Sequence, residues 1–351
     1  MEGSDTEEDD GVDDVFGGVK NCPPSVLLIP LMELTLTNDT TNLSYWLTWK
    51  FLLCAIWVFT SMVIASYLIW KYEGSTNTDN YKEVKQQERV WFNYDSEAWM
   101  PCIKGIHPAW LLTFRIISFC LLLAAGTSDV AIHGTDLFFY YTQWTLSLVT
   151  FYFAFGSVLS AYGCLRQHKR YDVGEEQEFL LPLTHEENTK SQQGKSHFSM
   201  TASFWGYVFQ IMFQMIAGAV MLTDSVYWIV MAPFLTVVGY EMGFLTVVAH
   251  SLNLVLLLAD TTLNSLDFPW FRISYFLLLT SFYVLFEWIL HAFVATWWSY
   301  PFLDLSMEYA PLWYLIVALL HLPCYTIFLL VVKLKYHILS RWYPDSFQSL
   351  R

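Results

Sequence analysis

Polar and ionisable side chains lie inside stretches of this chain that are otherwise strongly apolar. They are Thr142, Gln143, Gln210, Gln214, His250, Asn253, Glu287, His291 and His321. Burying such a group in hydrocarbon without a partner costs free energy, so ionisable residues in these positions usually take part in function. The set predicts a polar chamber inside a membrane-embedded protein.

The first chemistry that suits these residues is nucleophilic attack on an ester. A threonine hydroxyl becomes a nucleophile when a neutral histidine within hydrogen-bond reach takes its proton, and Thr142 with His250 would form such a pair. Side-chain amides would then steady the developing oxyanion. The candidates for that role are Gln143, Asn253, Gln210 and Gln214.

The second chemistry is metal binding. His250, His291 and His321 would supply three imidazole ligands, and Glu287 lies one helical turn from His291. Three histidines with a carboxylate are a ligand set that zinc or iron accepts. Because the residues lie on separate helices, their spacing leaves both chemistries open.

The depth of these groups in the membrane follows from the ~1.5 Å rise per residue of a helix. Counted from the expected outer end of each helix, the polar groups fall roughly 8 to 16 Å deep, between the outer interface and the midplane. The residues counted are Thr142, His291, Gln214, His250, His321 and Glu287. Polar groups at a common depth are what a single chamber requires. The alternative to a chamber is that these groups only form hydrogen bonds between helices.

The composition places the chain in a membrane. Hydrophobic residues make up 55% of the 351 residues and charged residues only 14%, which is far more apolar than a soluble domain. Seven stretches approach the ~18 to 20 residues that cross ~30 Å of hydrocarbon. They are 51–70, 108–126, 137–162, 201–222, 241–258, 273–298 and 311–332. We predict an all-α integral membrane protein with seven transmembrane helices.

Basic residues decide the expected orientation, because cytoplasmic flanks carry an excess of Lys and Arg. Most of the 18 basic residues fall in the loops 71–107 and 163–200 and near the C-terminus. We therefore expect a bundle over residues 46–340 with these loops in the cytoplasm, a cytoplasmic tail over 341–351, and an outer or lumenal N-terminus. Arg115 is expected to reach the inner surface along its own aliphatic stem.

Two outer segments complete the expected topology. Residues 1–45 form an acidic arm that we expect to be disordered, and it carries glycosylation motifs at Asn38 and Asn42. The arm has no cationic region, so the first span is the expected targeting signal. The apolar stretch 225–239 contains Pro233 and is too short to cross, which predicts a re-entrant or interfacial helix on the outer side.

Short motifs in the chain resemble the androgen-induced-protein-like and rolling-stone-like membrane proteins. The segments that carry the resemblance are 141–145 (YTQWT), 224–228 (DSVYW) followed by Pro233, and 249–253 (AHSLN). The resemblance covers roughly residues 108 to 335 and is closest to the larger, rolling-stone-like branch. Some androgen-induced members are intramembrane threonine hydrolases that cleave fatty acid esters of hydroxy fatty acids. The resemblance implies Thr142 as the nucleophile and His250 as its partner.

The leading functional expectation is an intramembrane threonine hydrolase that acts on lipid esters and needs no cofactor. One alternative is a non-catalytic scaffold or receptor-like protein, and the other is the intramembrane metal site. Membrane lipids are the expected partners, in the plasma membrane or an endomembrane. The net charge of −14 argues against nucleic acid.

Overall fold

The computed structural model of the protein describes residues 40–74, 94, 96–179, 190–233, 247–248, 250–294 and 298–347. Within these ranges the chain is helical, and the strand-like pairings are two isolated bridges, Pro101 with Asn264 and Ile103 with Phe347. Most of the acidic arm, including Asn38, lies outside the described residues. Asn42 is described; it is exposed, and its side chain caps a one-turn helix over Leu43–Trp46.

Seven longer helices make up the described bundle. They are α1 (Trp49–Glu73), α2 (Pro108–His133), α3 (Tyr141–Phe179), α4 (Lys190–Ser225), α5 (Leu252–Leu263), α6 (Ile273–Phe293) and α7 (Ala310–Trp342). All of them except α5 contain a segment long and apolar enough to cross a bilayer, which gives six such segments in the described ranges. The predicted multi-pass helical membrane protein is therefore confirmed.

Local sequence signals set the ends of the helices. Thr48 caps α1 by accepting a hydrogen bond from the amide of Phe51 at 3.3 Å. Pro108 begins α2, where its missing N–H leaves no intrahelical bond unmade. Gly134 ends α2 with a φ of 83°, a conformation that residues with a side chain rarely adopt. The chain can therefore turn sharply into the 3₁₀ turn Thr135–Phe139 and then into α3.

Contacts between distant segments define two ends of the bundle. At the first, which we call the Tyr45 end, the Tyr45 hydroxyl donates to Asp304 at 2.8 Å. At the second, the Glu73 end, Arg272 forms an ion pair with Glu73 at 2.7 Å. Helix α1 joins Tyr45 to Glu73, α6 starts beside Arg272, and α7 starts after Asp304. These three helices therefore alternate in direction.

Helix α4 is the central helix of the bundle. In the apolar, membrane-length stretch of α4, 72% is buried inside the bundle, whereas 22% is buried in the corresponding stretches of α1 and α2. Phe209 on α4 stacks on Tyr152 of α3 with 4.6 Å between ring centroids. Gly218 lets α6 approach closely, because a Cβ at this position would lie 2.4 Å from the ring of Phe276.

A buried ion pair joins α2 to α5. Arg115 Nε donates to Asp260 Oδ1 at 3.0 Å, and both side chains are fully buried. The Tyr152 hydroxyl and the Asn264 amide donate to Asp260 Oδ2 at 2.6 and 2.8 Å. The prediction that Arg115 reaches the inner surface is wrong, because Asp260 balances its charge inside the bundle.

The structure differs from the sequence prediction around the fifth span. Helix α5 begins at Leu252 and continues past the predicted end to Leu263. Its 12 residues rise only about 18 Å, less than the thickness of the hydrocarbon. In the stretch 225–239, the π-helical turn Val226–Met231 continues α4 instead of forming a separate helix. Residues 234–246 lie outside the described residues.

We expect Asp260→Asn to destabilise the protein by about 3–5 kcal/mol, because it leaves the Arg115 charge buried without a counter-ion. Denaturant unfolding of the purified protein in detergent measures this change. Asp136→Asn is the matched control, since Asp136 is exposed and should change stability little. Equal stability of the two variants would contradict the importance of the buried pair.

We expect Gly218→Ala to cost about 1–3 kcal/mol, because the added methyl group overlaps the Phe276 ring and forces α4 and α6 apart. Gly126→Ala is the control, since a Cβ there meets its nearest neighbour, Leu146 Cδ2, at 3.6 Å. The same unfolding measurement compares the two variants. If Gly218→Ala were as stable as Gly126→Ala, the close approach of α4 and α6 would be contradicted.

Candidate functional site

A partly open cavity of about 130 Å³ lies at the Tyr45 end, between α2, α3, α4 and α6. Most of its wall is aliphatic and aromatic. Besides several tyrosines, the polar residues on the wall include Asp129, His133, Thr142, Gln143, His250 and Thr280. The volume is close to the ~150 Å³ of an engineered protein cavity that holds benzene. There is room for the reacting part of a ligand, though not for a whole lipid.

Thr142 lies on the cavity wall in the first turn of α3. The first amides of a helix have no carbonyl partner within it, and the Thr142 amide donates instead to the Tyr300 hydroxyl at 3.4 Å. Burial raises the pKa of Tyr300 above its usual value, so the phenol stays protonated near neutral pH and can donate a hydrogen bond.

His250 reaches the same cavity from the segment before α5. Its ring stacks on the ring of Tyr227, with 3.7 Å between centroids and 5° between planes. Its backbone carbonyl accepts a hydrogen bond from the Trp228 indole at 2.9 Å. Both aromatic residues belong to the π-helical continuation of α4. This extra turn of α4 therefore fixes where His250 lies.

The cavity wall also holds a carboxylate and imidazole pair that the sequence reasoning missed. His133 Nδ1 lies 2.7 Å from Asp129 Oδ1, one turn apart on α2. The two side chains are 16% and 19% exposed. Their spacing of four residues is a usable signal for a pair on one helix face. It was overlooked because the predicted second span ended at Gly126, which placed both residues in a loop.

Gln210 and Gln214 lie at the Glu73 end, away from the cavity. Their side-chain carbonyls accept hydrogen bonds from Arg272 Nη1 at 2.7 and 3.1 Å. Their amides donate to Glu97 at 3.1 Å and to the carbonyl of Asp267 at 2.6 Å. The depth predicted for Gln214 was wrong because it was counted from residue 222, whereas the membrane-length segment of α4 continues to Met231.

His321 serves as a link between three helices. Its Nδ1 lies 2.7 Å from the Val317 carbonyl and its Nε2 lies 2.9 Å from the Thr280 hydroxyl. Because a carbonyl only accepts, Nδ1 carries the proton and Nε2 of the neutral ring accepts from Thr280. The Tyr141 hydroxyl then donates to Thr280 at 2.9 Å. Thr280 lines the cavity and His321 lies behind it.

Glu287 and His291 are held by other partners and do not line the cavity. Glu287 Oε1 accepts hydrogen bonds from Tyr283 at 2.9 Å and from Ser299 at 2.7 Å. His291 Nδ1 lies 2.7 Å from the backbone carbonyl of Glu287, and its ring stacks on Trp298. These bonds fix the segment after α6 against the bundle.

The remaining polar candidates divide between the cavity and the core. Gln143 is buried and lines the cavity, whereas Asn253 is buried on α5 away from it. In the part of the chain that the structure describes, no group of three His, Cys, Asp or Glu side chains could hold a metal ion. The predicted metal site at His250, His291 and His321 is therefore not supported by the described residues.

The chain was compared with protein-family models, with curated proteins and with solved structures, and none of the three comparisons found a match. The resemblance to rolling-stone-like proteins stays a prediction.

Proposed function

We propose that the protein is an intramembrane ester hydrolase with Thr142 as its nucleophile and His250 as its general base. The observation that carries this proposal is that the two residues, far apart in the sequence, line one cavity. Gln143 lines the cavity beside Thr142, and the Tyr300 hydroxyl accepts a hydrogen bond from the Thr142 amide. A hydroxyl, an imidazole and neutral hydrogen-bond donors are the groups that acyl transfer requires.

The first half of the reaction forms an acyl-enzyme. His250 takes the proton of Thr142 as Oγ1 attacks the ester carbonyl carbon. Tyr300 or Gln143 donates a hydrogen bond to the oxyanion that develops. The bond to the alcohol then breaks, and His250 returns the proton to the leaving oxygen. The acyl group remains attached to Thr142.

The substrate class follows from the position and size of the cavity. Apolar side chains of membrane-length helices, such as Leu146, Leu222 and Val284, form part of its wall. The volume of about 130 Å³ accommodates an ester group and a few carbons. The rest of a long acyl chain would extend between the helices into the bilayer, so the substrate is a lipid ester that arrives laterally from the membrane.

The same proposal includes seven crossings, with the N-terminus outside and the C-terminus in the cytoplasm. Helix α4 ends at the Tyr45 end, where Tyr227 lines the cavity. Asn264, which follows α5, pairs with Pro101 at the Glu73 end. Residues 232–263 therefore lead from one end to the other, which supports a fifth crossing. Lys71 in the last turn of α1 lies at the Glu73 end, and the basic residues in the sequence of the loop 71–107 favour the cytoplasm for this end.

The catalytic proposal predicts that a fluorophosphonate probe labels the wild-type protein in membranes and that Thr142→Val abolishes the labelling. His250→Gln should slow labelling by about 100-fold or more, because the hydroxyl loses its base. In-gel fluorescence at matched expression measures the rate, and mass spectrometry of the labelled peptide identifies the residue.

Two controls match these variants. Thr145→Val removes a buried hydroxyl that bonds to the Tyr141 carbonyl at 3.0 Å, and His337→Gln changes an exposed histidine; both should label normally. Labelling that persists in Thr142→Val, or that maps to Thr280, would contradict the assignment. No labelling of the wild type would contradict the hydrolase and favour a non-catalytic scaffold.

The topological proposal predicts opposite fates for the two termini in sealed microsomes. A tag before residue 1 should be protected from added protease, and a tag after residue 351 should be digested. Detergent should expose both tags, which controls for membrane sealing. An even number of crossings would give both tags the same fate and would contradict the fifth crossing.

A further inference from the structure

A second imidazole lines the cavity that contains the proposed nucleophile. His133 and Asp129 lie in the last two turns of α2, and both line the cavity that also contains Thr142. The proposed reaction assigns them no task. An exposed pair of this spacing would stabilise a helix by only a few tenths of a kcal/mol, but this pair is largely buried at the wall of a site.

The geometry of the pair fixes which ring nitrogen of His133 faces Asp129. The 2.7 Å contact joins His133 Nδ1 to a carboxylate oxygen of Asp129. Since an ionised carboxylate only accepts hydrogen bonds, Nδ1 carries a proton in this contact, and Nε2 is the nitrogen that can take up a proton when the ring is neutral. A carboxylate that orients an imidazole and stabilises its protonated form is the arrangement found behind general bases in acyl transfer.

The surroundings of His133 allow contact with water. The residue lies in the last turn of α2. Its side chain is 16% exposed and that of Asp129 is 19% exposed, so water can reach the pair. His250, the other imidazole of the cavity wall, lies flat against Tyr227.

We propose that His133, oriented by Asp129, activates the water that releases the acyl group from Thr142. This inference rests on the proposed function, because it needs an acyl-enzyme. Water adds to the acyl carbonyl carbon while His133 Nε2 takes one of its protons. The bond between that carbon and Thr142 Oγ1 then breaks, Oγ1 receives the proton from His133, and the fatty acid leaves. His133 is a catalytic residue in this step, and Asp129 is a positioning residue.

The division of labour between the two histidines has a distinct kinetic signature. His250 acts when the ester is cleaved, and His133 acts when the acyl-enzyme is hydrolysed. Loss of His133 should therefore leave the first turnover intact and slow every later one. Loss of a residue that only supports the fold would lower both phases together.

The test uses the full-length protein in lipid nanodiscs with a p-nitrophenyl acyl ester as the probe substrate. The burst of p-nitrophenol reports acylation, the steady-state rate reports turnover, and intact mass reports acylated Thr142. For His133→Gln we expect a burst of wild-type amplitude, a steady-state rate at least about 100-fold lower, and accumulation of the acyl adduct. Asp129→Asn should give the same pattern with a smaller loss, and His337→Gln should behave as wild type.

Two results would overturn the inference while leaving the hydrolase in place. One is an unchanged steady-state rate in His133→Gln. The other is a parallel loss of burst, turnover and fluorophosphonate labelling, which would assign the pair to folding or to acylation. If the wild type shows no burst and no labelling, the proposed hydrolase fails and this inference fails with it.

Discussion

The hydrocarbon of a bilayer offers no hydrogen-bond partner, so every polar group placed in it must be satisfied by the protein itself. This constraint accounts for the two strongest polar links of the bundle. Arg115 and Asp260 neutralise each other between α2 and α5 with no exposed surface. Arg272 and Glu73 join α6 to the end of α1. Both links lie toward the Glu73 end, which leaves the Tyr45 end as the half in which polar groups surround a cavity.

The same residue type serves as a structural link or as a site residue, depending on how its nitrogens are used. Both nitrogens of His321 are engaged, one with a carbonyl and one with the Thr280 hydroxyl, so this imidazole is tied to the packing of α6 and α7. His133 uses one nitrogen on a carboxylate at the cavity wall, and the other is left to accept a proton. Residue identity alone does not reveal this difference, since it depends on which neighbours the fold supplies.

The apolar stretches predicted six of the membrane-length helices, because burial of apolar surface determines which segments cross. They did not predict where helices end, because capping and backbone conformation decide that. Helix α2 runs past the predicted end at Gly126 and stops at Gly134, which has a positive φ, so Asp129 and His133 lie on its last turns at the cavity. The π-helical turn after Ser225 makes α4 longer than predicted, so Gln214 lies farther from the end of the helix and contacts Arg272 at the Glu73 end. Thr142, Gln143 and His250 line the cavity, and each lies near a helix start or outside regular helix.

Hydrolysis of a lipid ester needs two reactants with opposite preferences, since the acyl chain partitions into hydrocarbon and the attacking water is excluded from it. A cavity deep in the bundle would be dry, and a site in the loops would be out of reach of the acyl chain. The cavity at the Tyr45 end lies at the ends of membrane-length helices, with aliphatic side chains on one part of its wall and a partly exposed carboxylate and imidazole pair on another. In ordinary lipids the ester bond also lies at the boundary between hydrocarbon and water, so a substrate would need little vertical displacement to bring its carbonyl to Thr142.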